Sequence, residues 1–467
     1  MMTQSIFIQV GQCGNQIGHR FWDLALKEHS STNEKGLYDS AMSSFFLSSA
    51  VADGGFTPRI SDLKARALLV DMEEGVVSEM LKGPLRNLYD ARYFVTDVSG
   101  SGNNWAVGNL YYGQIHHEKL CESIRKSAES CDYLQCFFVL HSMGGGTGSG
   151  IGTHILKILA DNYPDVYRMD TAVFPSVDDD VITSPYNTVL ALSQITEFAD
   201  CVLPIDNMAL SNIIKRAERS SEHYYGNLQA TKNPEFSAKP VRSSKPFDEM
   251  NHHVANMLLN LTSSSRFEGT MNVDLNEISM NLVPFPRLHY LLTAQSPLSM
   301  ISQKSIPKKL DQIFADAFTR EYQLMSTDPC RNIYLAVALL VRGAINASDL
   351  RRNIDKLQSR LRFVPWNREG WKVGHCLVPP VNQQYSLLAI SNNTSIHESF
   401  SLILERFHKL YRRKAHLHHY TSVEGFDVSM FDSSANSLQD LVTQYIDFEK
   451  QGNSQNLPNL PRLEIMD

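Results

Sequence analysis

The stretch Gly144-Gly145-Gly146-Thr147-Gly148-Ser149-Gly150 constrains the fold more than any other. It follows an apolar run, Leu134 to Leu140, rich in Phe and Val. After it, Ile151, Ile155, Ile158 and Leu159 recur at helical spacing. The pattern predicts a strand, a glycine loop and a helix. Glycine lets backbone N–H groups approach a ligand and adopts positive φ. The helix start adds unpaired donors and a positive dipole end. Thr147 and Ser149 add hydroxyls, and the whole suits phosphate. It is not a Walker A loop, because no Gly in the chain is followed by Lys. A flexible linker is disfavoured by the tight apolar flanks.

A second unit of the same kind opens the chain. Ile6, Ile8 and Val10 lie in a short strand that runs into Gly11-Gln12-Cys13-Gly14-Asn15-Gln16-Ile17-Gly18 and then a helix carrying Phe21, Trp22, Leu24 and Leu26. Residues 30–60 read as irregular. The next strand, Ala65 to Asp71, ends in Asp71-Met72-Glu73-Glu74-Gly75. Carboxylates at the end of such a strand stand where an α/β sheet places ligand groups, so Asp71 and Glu73 are candidates to orient Mg²⁺ through water. Capping of the following helix is the plainer reading of Asp71. Ser99 to Trp105 is a further small-residue loop, in which Asn103 offers an amide donor. Val173 and Phe174 end another strand before three acids, Asp178 to Asp180, and Cys201 to Asp206 form the next, ending in Asn207. Strands alternating with helices predict a doubly wound parallel sheet.

Residues 216–246 break the pattern with Glu, Ser, Asn, Lys and Pro, and read as an exposed insertion. A buried helix then carries Met250, Val254, Met257, Leu258 and Leu261, with Asp248 as its expected cap. Strands around Leu288–Leu292, Tyr334–Val341 and Tyr385–Ile390 predict an α+β second domain. Two amphipathic helices follow, one over 397–413 and one carrying Leu438 to Ile446, as a C-terminal hairpin. Between them Arg412, Arg413, Lys414, His416, His418 and His419 form a basic patch. Zinc or nucleic acid is conceivable there, and a solvated helix end is the simpler reading.

The length of 467 residues fits two or three domains. A net charge of −7 argues against nucleic-acid binding by bulk charge. No run is long and apolar enough for a membrane span, and the N-terminus does not read as a secretory signal. Seven scattered cysteines fit reduced thiols.

The two glycine stretches, with Asn272–Glu277, Asn281–Arg287 and Lys414–Tyr420, resemble the tubulin superfamily over most of the chain. Ser99–Gly108, the long insertion and Asn456–Leu463 resemble a specialised branch of that family, one that serves centrioles and basal bodies. The resemblance implies a GTP-binding domain over 1–250 with its insertion, an intermediate domain with the core helix over 251–396, and a helical hairpin and tail over 397–467. It implies GTP or GDP with Mg²⁺. Gln12 and Cys13 would contact phosphates and base. Asn103, Ser142, Gly144, Gly145, Gly146 and Thr147 would hold phosphate, with Glu73 near the metal. Asp180 would lie near the ribose, Asn207 and Asn251 would read guanine, and Phe247 stands where the family places a stacking tyrosine. Ser184 replaces an acid used near the ribose. The loop Pro297–Lys308 is shorter than in alpha- and beta-tubulin, and the acidic tail is absent. Glu277 matches the acid with which alpha-tubulin completes GTP hydrolysis on the next subunit, with Asp274 beside it. Delta-, alpha- and beta-tubulin and centriolar proteins are the implied partners, and the cytoplasmic cytoskeleton, at a centrosome, centriole or basal body, the implied location.

A dinucleotide-dependent soluble enzyme with a Rossmann-like sheet is the alternative. The glycine stretch lacks the Gly-x-Gly-x-x-Gly spacing with a later ribose-binding acid, and no catalytic His or Cys constellation stands beside it.

Overall fold

The structure is a computed structural model that describes residues 3–33, 35–48, 63–176, 181–230, 247–298, 300–301 and 308–453, with backbone alone at 221–230 and 452–453. Six parallel strands form the first sheet, in the order Phe94–Thr96, Ala67–Asp71, Gln4–Val10, Leu134–Ser142, Tyr167–Phe174 and Cys201–Asp206. The inner strands are near-continuous apolar runs because helices cover both faces. On one face, Trp105, Ile151, Ile155 and Leu159 pack with Ile6, Ile8 and Val139. On the other, Phe21 and Trp22 of the helix Gly11–Thr32 stack around Phe7 with Phe138 and Phe45.

The helix Asp248–Leu261 packs along Gly11–Thr32 and links the first sheet to the second. The second sheet is mixed, in the order Leu291–Ser296, Ser386–Asn393, Tyr334–Arg342, Trp371–Cys376 and Gly269–Met271. The C-terminal helices Ile396–Tyr411 and Ser429–Asn453 pack on one another and on Ser184–Phe198. The doubly wound sheet, the α+β second half and the helical hairpin are therefore as expected.

Several local expectations fail. The Ala65–Asp71 run is two strands, Leu63–Ala65 and Ala67–Asp71, broken at Arg66. The first pairs with Phe46–Ser48 inside the stretch read as irregular. Residues 216–230 are helical, as the end of Asn207–Ala230. Ile213 and Ala217 anchor that helix in the core, and a helix once nucleated propagates through polar sequence. The rest of the expected insertion, 231–246, lies outside the described residues, as do 302–307 of the short loop and the tail from 454. Asp248 does not cap its helix. Phe247 occupies the cap position with no side-chain bond, and Asp248 pairs with Arg20 instead. All seven cysteines are free thiols. Among the described residues no helix is long and apolar enough to cross a membrane, and no cluster of three His, Cys, Asp or Glu could hold a metal, His416 and His419 included.

Candidate functional site

From the strand Gln4–Val10 the sheet grows one way, to Ala67–Asp71 and Phe94–Thr96. From its neighbour Leu134–Ser142 it grows the other way. Such a reversal leaves a crevice at the C-terminal ends of the two strands. A cleft of about 500 Å³ opens there.

The cleft gathers the residues that the sequence pointed to. Gln12 and Cys13 come from the first helical turn, and Asp71 and Glu73 from the end of the strand Ala67–Asp71. Asn103 comes from the small-residue loop. Ser142, Gly144, Gly145, Gly146 and Thr147 form the glycine wall, and Asn207, Phe247 and Asn251 line the same cleft. Asp180 lies outside the described residues. Glu277 is not in the cleft. It sits in the first turn of the helix Leu275–Leu282, where Lys372 Nζ reaches its Oε2 at 2.5 Å. Asp274 caps that helix through the N–H of Leu275 and accepts from Gln135.

The glycine wall is built by close backbone approach. A Cβ on Gly146 would stand 2.5 Å from Asn104 N and 2.9 Å from Asn104 O. Two linings sit in left-handed backbone, Asn103 at φ 53° and Phe247 at φ 63°. For a non-glycine residue this is costly and signals local constraint. Phe247 is 52% exposed. Ile17, Leu210, Met250 and Val254 supply an apolar wall of a kind that takes a flat ring.

No Lys or Arg is among the described residues that line the cleft. What these described residues offer an anion is backbone dipoles, amides and hydroxyls. Burial pushes Asp71 up to about 6, and the neighbouring Glu73 adds to this against the Glu73 N–H that Asp71 accepts at 3.3 Å. A buried carboxylate in that state is stabilised by a cation. Asp71 and Glu73 thus fit a hard divalent ion that takes few carboxylates and completes its shell with phosphate oxygens. Burial pushes the Cys13 thiol up to about 12, so it meets a ligand uncharged.

Sequence reasoning missed Gln16, Ser101 and Pro175. Ser101 was legible: it lies in the small-residue loop, and its Oγ is 2.7 Å from Thr147 Oγ1. Gln16 was legible in the same way, since it lies in the Gly11–Gly18 stretch, whereas Pro175 carries no motif of its own.

The family profile "Tubulin/FtsZ family, GTPase domain" matches residues 4–215, and "Tubulin C-terminal domain" matches 286–405. Among curated proteins, "Tubulin epsilon chain" of Mus musculus is 54% identical over 476 residues, covering 99% of this chain and 100% of the relative. Its Homo sapiens counterpart is 53% identical over 478 residues, with the same coverage. "Tubulin beta-1 chain" of Homo sapiens is 34% identical over 456 residues, covering 96% and 94%.

Proposed function

Because the chain belongs to the tubulin family, we propose that the cleft at the sheet's switch point is its guanine-nucleotide site and that the protein serves centriole or basal-body microtubules. It is a GTP-binding protein of the microtubule cytoskeleton. That membership removes the dinucleotide-dependent enzyme from consideration.

The observation that carries the site is convergence. Residues from seven separate segments, Gln12 through Asn251, meet in one cleft that offers backbone N–H groups, amides and hydroxyls to phosphate and apolar side chains to a flat ring. In this reading Asn103, Ser142, Gly144, Gly145, Gly146 and Thr147 hold the phosphates, and Gln12 and Cys13 bridge toward the base. Asn207 and Asn251 read guanine, Phe247 stacks on it and Asp180 approaches the ribose. Asp71 and Glu73 would hold Mg²⁺, which would neutralise phosphate charge that no lysine or arginine among the described residues of the cleft offsets. The domain division at 250 and 396 belongs to the same reading.

Similarity to the epsilon chains supports the centriolar role, with delta-, alpha- or beta-tubulin and centriolar proteins as partners. Among the described residues of the cleft the only carboxylates are Asp71 and Glu73, and this reading assigns both to the metal. Glu277 would orient an attacking water in trans, on the nucleotide of a neighbour stacked against the second domain. Denaturing the purified protein and identifying the released nucleotide tests the site. GTP or GDP near one per chain is expected, and an extract holding only adenine or nicotinamide nucleotides would refute it.

A further inference from the structure

Asn187 does not line the cleft. It lies on the helix Ser184–Phe198 and is wholly buried. Its amide has two donors and an oxygen with two lone pairs, and all four are used. Nδ2 donates to Asn103 O at 2.8 Å and to Gly144 O at 2.9 Å. Oδ1 accepts the Trp105 N–H at 2.9 Å and the Tyr420 hydroxyl at 2.6 Å. The orientation of the amide is unambiguous, because carbonyls only accept and a backbone N–H only donates.

Two of these partners are cleft residues. Gly144 opens the glycine wall, and Asn103 stands against it in left-handed backbone. The Asn103 carbonyl also accepts from Thr183 Oγ1 at 3.0 Å. A strained residue keeps its conformation only where its surroundings over-determine it. Here two donors on one carbonyl do so.

The fourth partner comes from the far end of the chain. Tyr420 is buried among Tyr186, Phe426 and Phe431. Its segment is tied twice more, once to the small-residue loop and once to the helix that carries Asn187. Asn104 Nδ2 donates to His419 O at 2.8 Å, and the Tyr186 hydroxyl to Ala415 O at 2.8 Å. The family segment Lys414–Tyr420, which the nucleotide reading leaves without a task, is hydrogen-bonded into the back of the phosphate wall.

We propose that Asn187 and Tyr420 are positioning residues of the nucleotide site, through which the C-terminal segment Ala415–Tyr420 sets how tightly the cleft holds its nucleotide. Asn187 fixes the spacing between Asn103 and Gly144. Tyr420 fixes Asn187, since its hydroxyl fills the acceptor site that Trp105 leaves open. A buried amide that loses one of several partners gains freedom to tilt, and both carbonyls it holds then move with it.

The inference rests on the cleft being the guanine-nucleotide site. Tyr420→Phe removes one hydroxyl and almost no volume. Release of a fluorescent GDP analogue should be about five- to tenfold faster from this variant, the effect of one hydrogen bond. Thermal melting separates positioning from general stability. A merely structural loss lowers the melting temperature equally with and without nucleotide. A positioning loss shrinks the stabilisation that a fixed concentration of GDP confers. Should Tyr420→Phe fold poorly, Thr183→Val loosens the Asn103 carbonyl from the other side and should raise the release rate in the same direction. Wild-type release rates in the variants that fold, with undiminished stabilisation by GDP, would overturn the inference. Wild-type protein that binds no guanine nucleotide would instead overturn the site.

Discussion

Glu277 already has two local duties in the free protein. It is the third residue of the helix Leu275–Leu282, where a negative charge is favoured by the helix dipole, and it pairs with Lys372. These are partly exposed interactions, and together they are worth about 1 kcal/mol at most. A role in trans needs more than this. Glu277→Gln keeps size and hydrogen bonding at the helix start and loses the charge. It should leave the protein's own nucleotide binding unchanged. In a co-assembly that turns over GTP at this interface it should slow hydrolysis at least tenfold, given the roughly 10²–10⁴-fold that a positioned base contributes. Unchanged turnover there would remove Glu277 from the chemistry. At this scale the sequence reveals residue types well and their backbones poorly. The ring of Phe247 was legible from its place in the motif. Its left-handed backbone was not, and neither was the pairing of Asp248 with Arg20, a residue on another helix.

Elements were legible where a pattern was local. The glycine signature before Ile151 specified strand, turn and helix correctly. The Gly11–Gly18 stretch carried the same strand–glycine–helix signal and also lines the cleft, but its glycines are built in differently. There the helix starts directly at Gly11, and Gly14 is present because its Cβ would stand 2.0 Å from Leu140 O. That glycine serves close packing of helix on strand, and only the tertiary contact shows it. Gly108 is a further case. It lies in the wide helical turn Val107–Tyr112, facing the turn Thr147–Ile151. Its Cβ would be 2.3 Å from Gly146 O and 3.1 Å from Gly150 Cα. Helix propensity alone favours Gly108→Ala by about 1 kcal/mol. Backbone overlap at that distance costs more, about 1–3 kcal/mol, and the strain falls on the glycine wall. Gly108→Ala should therefore keep its circular-dichroism spectrum and lose most of its bound nucleotide on gel filtration. Full nucleotide occupancy after that step would show that the two turns can separate without cost to the site.

The whole molecule is held across its domains by a buried ion cluster that no local pattern announces. Glu28 of the helix Gly11–Thr32 accepts from Arg266 at 2.6 Å and from Arg342 at 2.6 Å. Arg266 follows the core helix and donates to Leu259 O, while Arg342 ends a strand of the second sheet and donates to Val378 O. Both guanidinium groups are fully buried. One carboxylate thus ties together two arginines that lie 238 and 314 residues further along the chain, a contact that no local pattern can reveal. Burial pushes the Glu28 carboxyl up, but Arg342 and Arg266 outweigh it and hold the group below its ordinary value of 4.5. Glu28→Gln would leave two buried cations uncompensated, a loss of about 3–5 kcal/mol. The pH dependence has a definite sign. With the folded pKa below the unfolded one, the stabilisation is complete above the unfolded value and is lost as pH falls through the folded one. Urea unfolding at neutral pH should therefore separate wild type from Glu28→Gln by the full amount. The gap should narrow as pH drops below 4.5, because the wild-type carboxyl then takes up a proton and loses its charge. Stability curves that run parallel from pH 7 into acid would mean that the charge on Glu28 does not hold the domains together, and that shape alone does.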